Sequence, residues 1–171
     1  MTISLYDAVI PSKLQVLRAG LGWLDKAAES GLPEEEIAEA RLIEDMLPFA
    51  YQVKSMSVHS AGAIEGVRAG VFEPDMSDPP QTIAGMRSRL EDAIAALEAV
   101  TPEEMSGFIG RDARFEVARF DIRLEFTAEQ FLLTFSQPNF YFHASTAYDI
   151  LRMKGVPLGK RGFLGTLRLK G

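Results

Sequence analysis

Two histidines, His59 and His143, are the only imidazoles in the chain, and they are its most evident chemical resource. Helical spacing places polar side chains one or two turns before each: Gln52 and Ser55 before His59, and Asn139 before His143. If both histidines face the centre of a helical bundle, these five residues form one polar cluster. Because imidazoles bind zinc and nickel, His59 and His143 are candidate ligands of a divalent metal.

The alternative interpretation is a pair of histidines that hydrogen-bond to neighbouring hydroxyls and carbonyls without a metal. Catalytic zinc commonly takes three protein ligands, and Asn139 is a poor one. No Asp or Glu lies one turn from either histidine on its inner face. The residue pattern therefore favours the metal-free interpretation. A phosphate loop is also excluded: the segment 155–161 (GVPLGKR) is one residue short and lacks Ser or Thr after Lys160.

Length and composition predict one domain over residues 1–171, located in the cytoplasm. The absence of cysteine excludes disulfides, thiolate nucleophiles and cysteine metal sites. A net charge of −6 argues against a general nucleic-acid binder. No apolar run approaches the roughly 18 residues of a membrane span, and the N-terminus lacks the layout of a signal peptide.

The elements that must position the two histidines are helices. Apolar spacings of three and four predict long helices from Pro11 to Gly31, from about Pro48 to Ala69, from Thr82 through Leu97, and from Thr127 to about Lys154. A short acidic helix is expected at 33–46, with Asp45 capping the helix that follows it. His59 falls midway along the second long helix, and His143 follows an expected kink at Pro138.

The only strand signal comes before the last helix. Alternating apolar residues at 115–117 and 122–126 predict a small hairpin that turns near residues 120–121, and 71–81 is expected to be a loop. Gly62, Gly66 and Gly70 share one helix face, which suggests close approach of a neighbouring helix. Together these patterns predict a mainly α protein: a four-helix bundle with a small β-hairpin before the last helix.

Two further patterns concern partners. The consecutive aromatic residues Phe140, Tyr141 and Phe142 cannot share one helix face, so some are expected to look outward, which hints at a homodimer. From Arg152 onward there are basic residues but no acidic ones. This tail is expected to lie on the chain's own acidic stretch at 29–45 rather than to bind an anionic substrate.

Two stretches of sequence carry a family resemblance. They are Ser4-Leu5-Tyr6-Asp7-Ala8 with Pro11 near the start, and Pro138-Asn139-Phe140-Tyr141-Phe142-His143, Thr146-Ala147-Tyr148, Ile150-Leu151-Arg152, Gly155-Val156 and Leu158-Gly159-Lys160 near the end. Together they resemble a bacterial family described as a domain of unknown function, within the DinB/YfiT-like four-helix bundles. The helix pattern agrees over nearly the whole chain, which implies a DinB-like bundle.

The resemblance also implies a site. Members typically hold a divalent metal with one histidine on the second helix and an H-x-x-x-H pair on the last helix, and some are thiol-dependent transferases or isomerases. His143 matches the second histidine of that pair, Asn139 stands at the first, and His59 lies in about the region of the remaining ligand. The metal triad is therefore broken in this chain.

Three functions follow as hypotheses. The first is binding of a small molecule in a central pocket near His143, with a degenerate metal site. The second is a metal-dependent transferase or hydrolase, including a thiol-dependent one, in which His59 and His143 hold zinc or nickel. The third is a dimeric structural or interaction module. None of them involves nucleic acid or a membrane.

Overall fold

Four long helices form the frame of the protein in the computed structural model, which describes residues 3–170. They are α1 (Leu5–Ala28), α3 (49–69), α4 (Ile83–Glu98) and α6 (128–153), and the short helices are α2 (Glu34–Glu39), α5 (Pro102–Phe108) and α7 (Lys160–Leu164). Helices α1 and α3 each pack against both α4 and α6. The predicted mainly α four-helix bundle is confirmed. Residues 1, 2 and 171 of the predicted domain lie outside the described residues.

The first helix begins earlier than the sequence predicts. Ser4 and Asp7 form a capping box, so α1 starts at Leu5, and Pro11 lies inside the helix rather than at its start. The acidic helix is shorter than expected, because the chain leaves helical geometry at Ala40. The Phe49 N–H donates to the Ala40 carbonyl at 2.8 Å, which closes residues 40–48 into a loop. Helix α3 therefore begins after Pro48, and Asp45 is not its cap.

Helices α3 and α6 each contain a π-helical segment that the sequence analysis did not foresee. In α3 the segment is Val58–Gly62, between the α-helical stretches Phe49–Ser57 and Ala63–Ala69. In α6 it is Phe131–Ser136, between Ala128–Gln130 and Gln137–Met153. Pro138 thus falls in the first turn of the last stretch, where its missing N–H costs least. The irregularity expected at Pro138 takes the form of a wide turn just before it.

The small sheet has three strands rather than two. Strand β2 (Asp112–Val117) pairs antiparallel with β3 (Ile122–Thr127), which confirms the hairpin, and β1 (Val71–Phe72) joins β2 in parallel. The expected loop at 71–81 therefore begins with a strand. Strand β1 also explains Gly66, because a Cβ there would lie 2.6 Å from Phe72 Cβ. The close approach comes from this strand and not from a neighbouring helix.

The C-terminal tail packs mainly on α1. The Trp23 indole donates to the Gly162 carbonyl at 2.9 Å, and the Gln15 amide donates to the Leu164 carbonyl at 2.6 Å. Among the ion pairs of residues 3–170, the one between the tail and the acidic stretch joins Lys154 to Glu36. The predicted docking of the whole tail on 29–45 is therefore wrong, since apolar contacts with Trp23 hold α7 on α1 instead. None of the helices in 3–170 is long and apolar enough to cross a membrane.

Candidate functional site

His59 lies at the second position of the π-helical segment of α3, with 9% of its surface exposed. Its backbone carbonyl accepts two side-chain hydrogen bonds, from Lys13 Nζ at 2.9 Å and from Ser136 Oγ at 2.8 Å. Ser136 ends the π-helical segment of α6, so these contacts join α1, α3 and α6 at one point. Buried carbonyls need hydrogen-bond donors. The two side chains therefore stabilise the backbone from which the His59 ring projects.

Lys13 is fully buried, and no carboxylate is among its hydrogen-bond partners in the described residues. Besides the His59 carbonyl, its Nζ donates to Ser136 Oγ at 3.1 Å. Burial lowers the pKa of Lys13 to about 7, because the charged ammonium loses its water. A neutral amine has two N–H groups, and two acceptors are present. The two hydrogen bonds of Lys13 are thus compatible with an uncharged amine.

The triangle of Lys13 Nζ, Ser136 Oγ and the His59 carbonyl is not an activated serine. Ser136 donates its hydroxyl proton to the carbonyl and accepts from the lysine. A lysine that acts as base toward a serine nucleophile has to receive that proton. Both side chains are also completely buried, so neither meets a substrate. The triangle therefore positions His59.

The two histidine rings lie side by side in the bundle. Their centroids are 5.6 Å apart, and their planes differ by 13°. His143 Nδ1 lies 2.7 Å from Gln52 Oε1, and the Gln52 amide nitrogen donates to the Leu47 carbonyl at 2.7 Å. Because Gln52 Oε1 can only accept, His143 Nδ1 carries the proton. His143 Nε2 is therefore left as a hydrogen-bond acceptor.

Both imidazoles are neutral at neutral pH. Burial, together with the nearby His143 and Lys13, lowers the pKa of His59 to about 3, and burial lowers the pKa of His143 to about 4. His59 Nδ1 is buried and has no hydrogen-bond partner in the described residues. An unpaired buried polar atom costs roughly 1–3 kcal/mol. The His59 ring, which lies beside the His143 ring, thus has one nitrogen without a hydrogen-bond partner in the described residues.

Aromatic side chains surround the pair. The Tyr51 ring is 6.0 Å from His143, and the rings of Phe72 and Phe135 are 5.7 and 6.0 Å from His59. Phe72 also lines a cavity of about 420 Å³ between the π-helical segment of α3 and helix α4. The walls of this cavity include the π-helical residues Val58, Ala61 and Gly62. One aromatic ring is therefore shared by the histidine pair and a cavity of ligand size.

The structure brings together three of the five predicted site residues. Gln52 Oε1 accepts from His143 Nδ1, and the His143 ring lies beside the His59 ring. Ser55 is buried on the same helix, but within 3–170 its side chain makes no hydrogen bond to either histidine. Asn139 donates its amide to the Phe135 carbonyl at 2.7 Å, one turn earlier in α6. The amide of Asn139 is thus committed to its own helix.

The residues present do not fit the three-ligand metal site implied by the family resemblance. Among the described residues, no group of three His, Cys, Asp or Glu side chains is placed to hold a metal ion. The 5.6 Å between the ring centroids leaves His59 and His143 close enough to act together, but Asn139 supplies no third ligand. Lys13, a potential cation, lies close to the backbone of His59, to whose carbonyl its Nζ donates.

Sequence reasoning missed Lys13, Ser136 and the aromatic neighbours of His59. Lys13 was detectable, because it lies three residues after Ile10 and four before Leu17, on the inward stripe of α1. A lysine on such an apolar stripe is unusual and indicates a buried hydrogen-bond partner. Ser136 gave no such signal, since its role depends on a π turn that no local pattern marks.

The four long helices and the small sheet form a DinB-like four-helix bundle. A crystal structure of a DinB family member protein from Shewanella denitrificans is similar over 98% of this chain and 95% of that chain, with a TM-score of 0.80 and 22% sequence identity. At that identity the similarity shows the fold alone. Residues 5–164 match the family described as domain of unknown function DUF1993, and the chain belongs to this family. No curated protein matches the chain.

Proposed function

We propose that this protein binds a small, uncharged, planar molecule that hydrogen-bonds to the histidine pair. The observation that carries the proposal is His59 Nδ1, a buried nitrogen with no partner in the described residues, beside the half-buried ring of His143. A ligand that pairs with this nitrogen removes the cost of leaving it unpaired. His143 Nε2, free as an acceptor, offers a second contact.

The chemistry of the site supports an uncharged ligand. Both rings are neutral at pH 7, and burial lowers the pKa of the nearby Lys13 to about 7, so that its amine is not a permanent charge. A cationic ligand would find no carboxylate among the contacts described for the pair, and a strong anion would find no fixed positive charge. The rings of Tyr51, Phe72 and Phe135 favour a flat molecule. The proposed location of this function is the cytoplasm.

The second candidate, a metal-dependent transferase or hydrolase, is favoured by one observation. Two neutral imidazoles lie 5.6 Å apart by their centroids, which is within reach of a shared ion, since Zn–N bonds are about 2.0–2.1 Å long. The missing third ligand argues against it. Metal analysis of tag-free wild type and His143→Ala separates the two candidates. Near-stoichiometric zinc or nickel that is lost in the variant would contradict the proposed function and support the metal enzyme.

Ligand binding is tested directly by NMR, because only two histidines contribute ring signals. Benzimidazole, indole and nicotinamide serve as probes, and His143→Phe assigns the signals. We expect at least one probe to shift both rings saturably in the wild type and to lose that effect in His143→Phe. Tyr148→Phe, which removes one hydroxyl from the same helix, is the control and should bind normally. Histidine signals that respond to none of the probes at millimolar concentration would refute the proposal.

A further inference from the structure

Strand β3 forms an open edge of the small sheet. The strand order is β1-β2-β3, so β3 pairs with β2 on one side only within the described chain. Its residues Ile122 and Leu124 are 41% and 44% exposed, although both are apolar. An exposed apolar edge strand is a template for pairing with another strand, and proteins ordinarily blunt or cover it. This edge is therefore a candidate surface for pairing with a further strand.

The two faces of the hairpin differ sharply in character. One face carries the apolar cross-strand pairs Val117–Ile122, Phe115–Leu124 and Ala113–Phe126. The other carries four charges in alternating positions: Arg114 lies opposite Glu125, and Glu116 lies opposite Arg123. Within each strand the charges also alternate, with Arg114 bonded to Glu116 and Arg123 bonded to Glu125. The charged face is thus a checkerboard that ends at β3.

We propose that β3 pairs antiparallel with β3 of a second copy of this chain, with Leu124 on the twofold axis. In this register Arg123 lies opposite the partner's Glu125, and Glu125 lies opposite the partner's Arg123. Ile122 lies opposite the partner's Phe126 on the other face. The checkerboard then continues without interruption across four strands, and two three-stranded sheets become one six-stranded sheet.

Neighbouring registers lack this complementarity. A shift by one residue sets Leu124 opposite a charged residue and turns the two apolar faces to opposite sides of the sheet. A shift by two residues sets Arg123 opposite the partner's Arg123, or Glu125 opposite the partner's Glu125. Like charges directly opposite each other destabilise a strand pair. The sequence of β3 is therefore self-complementary in one register, and this singles out a second copy as the occupant.

The proposal is independent of ligand binding at the histidine pair. The proposed interface is not the aromatic surface 140–142 from which the sequence suggested a homodimer. In the structure Phe140 is buried and Tyr141 packs partly against the core. Phe142, at 56% exposure, remains outside the proposed interface.

The charge pattern is tested by two variants that are complementary to each other. Arg123→Glu and Glu125→Arg each place like charges across the dyad, so each should weaken the dimer at least about tenfold. An equimolar mixture should restore dimerisation, because every charge on β3 then faces an opposite charge across the dyad, while the mismatch that each variant creates with its own β2 is the same in the homodimer and the mixed dimer. Sedimentation velocity over 1–200 μM measures the association, and circular dichroism checks that each variant is folded. Arg119→Glu, at the hairpin turn outside β3, is the control and should dimerise normally.

The register is tested by cross-linking, which the absence of cysteine makes clean. Leu124→Cys on the dyad should form an intermolecular disulfide on mild oxidation, because opposite Cα atoms in antiparallel strands are about 4.5–5.5 Å apart. Ile122→Cys should not, since the two copies would lie four residues apart along the strands, roughly 13 Å. A monomeric wild type at 200 μM would overturn the proposal. A dimer that ignores the charge variants and does not cross-link at position 124 would overturn it as well.

Discussion

Replacing Lys13 with methionine is expected to flatten the pH dependence of stability between pH 7 and pH 9. Burial lowers the pKa of Lys13 from 10.5 to about 7, so in this range the unfolded chain binds a proton that the folded chain does not. Stability therefore rises with pH. With these two pKa values, the wild type gains about 2 kcal/mol in free energy of unfolding from pH 7 to pH 9. Methionine has a similar shape and no proton to gain, so Lys13→Met should lose this gain.

Urea denaturation at pH 7, 8 and 9, followed by circular dichroism, measures the effect. Lys26→Met is the matched control: it makes the same substitution in the same helix at an exposed lysine, whose pKa is raised rather than lowered, chiefly by its hydrogen bond to Glu29. Its stability should follow the wild type across this range. Parallel curves for wild type and Lys13→Met would refute the reasoning, because they would show that Lys13 is charged in the folded protein.

Two further predictions concern stability. The pKa values of His59 and His143 in the folded chain, about 3 and about 4, lie below the ordinary value of 6.5. The unfolded chain therefore takes up protons first as the pH drops below 6.5, and the free energy of unfolding should fall by about 2 kcal/mol for each histidine between pH 7 and pH 5. Urea titrations of wild type and His143→Phe at both pH values test this, and a variant with an unreduced acid loss would contradict it. Gly66→Ala should destabilise the protein by ~2 kcal/mol or more, because the added Cβ would lie 2.6 Å from the Cβ of Phe72. The control, Gly22→Ala, has open space around the added Cβ and should be neutral or stabilising. Thermal unfolding compares the two, and equal melting temperatures would show that the Phe72 contact relaxes freely.

The sequence predicts those parts of the fold that depend on local signals. Helix periodicity locates the four long helices, and the hydroxyls of Thr82 and Thr127 cap the two helices that were expected to begin at these residues. Gly70 takes the left-handed conformation expected at a helix end. Strand β1 was missed because two residues are too few to show alternation, and it forms only where β2 offers an edge. Its pairing is a tertiary effect that overrides local propensity.

The candidate site could likewise be predicted only in the part that depends on local sequence signals. Gln52, His59 and His143 could be grouped in advance, because each lies on the inward side of a predicted helix. The orientation of the His59 ring could not, since it depends on a π turn that shifts every following residue relative to an α-helical count. That turn is stabilised by Lys13 and Ser136, which lie 46 residues before and 77 residues after His59.

The buried amine would respond to an acidic metal ligand placed near the histidine pair. Burial holds the pKa of Lys13 near 7, and no carboxylate is among its hydrogen-bond partners in the described residues. A carboxylate beside the amine would raise this pKa and keep the lysine charged at neutral pH. Asn139→Asp introduces an acidic side chain one turn after Ser136, the hydrogen-bond partner of Lys13, and should raise the pKa of Lys13. In the Lys13→Met background, Asn139→Asp should change the pH dependence of the free energy of unfolding less than it does in the wild type. Urea titrations at pH 7 and 9 measure this. Equal changes in both backgrounds would show that the amine does not respond to the introduced carboxylate.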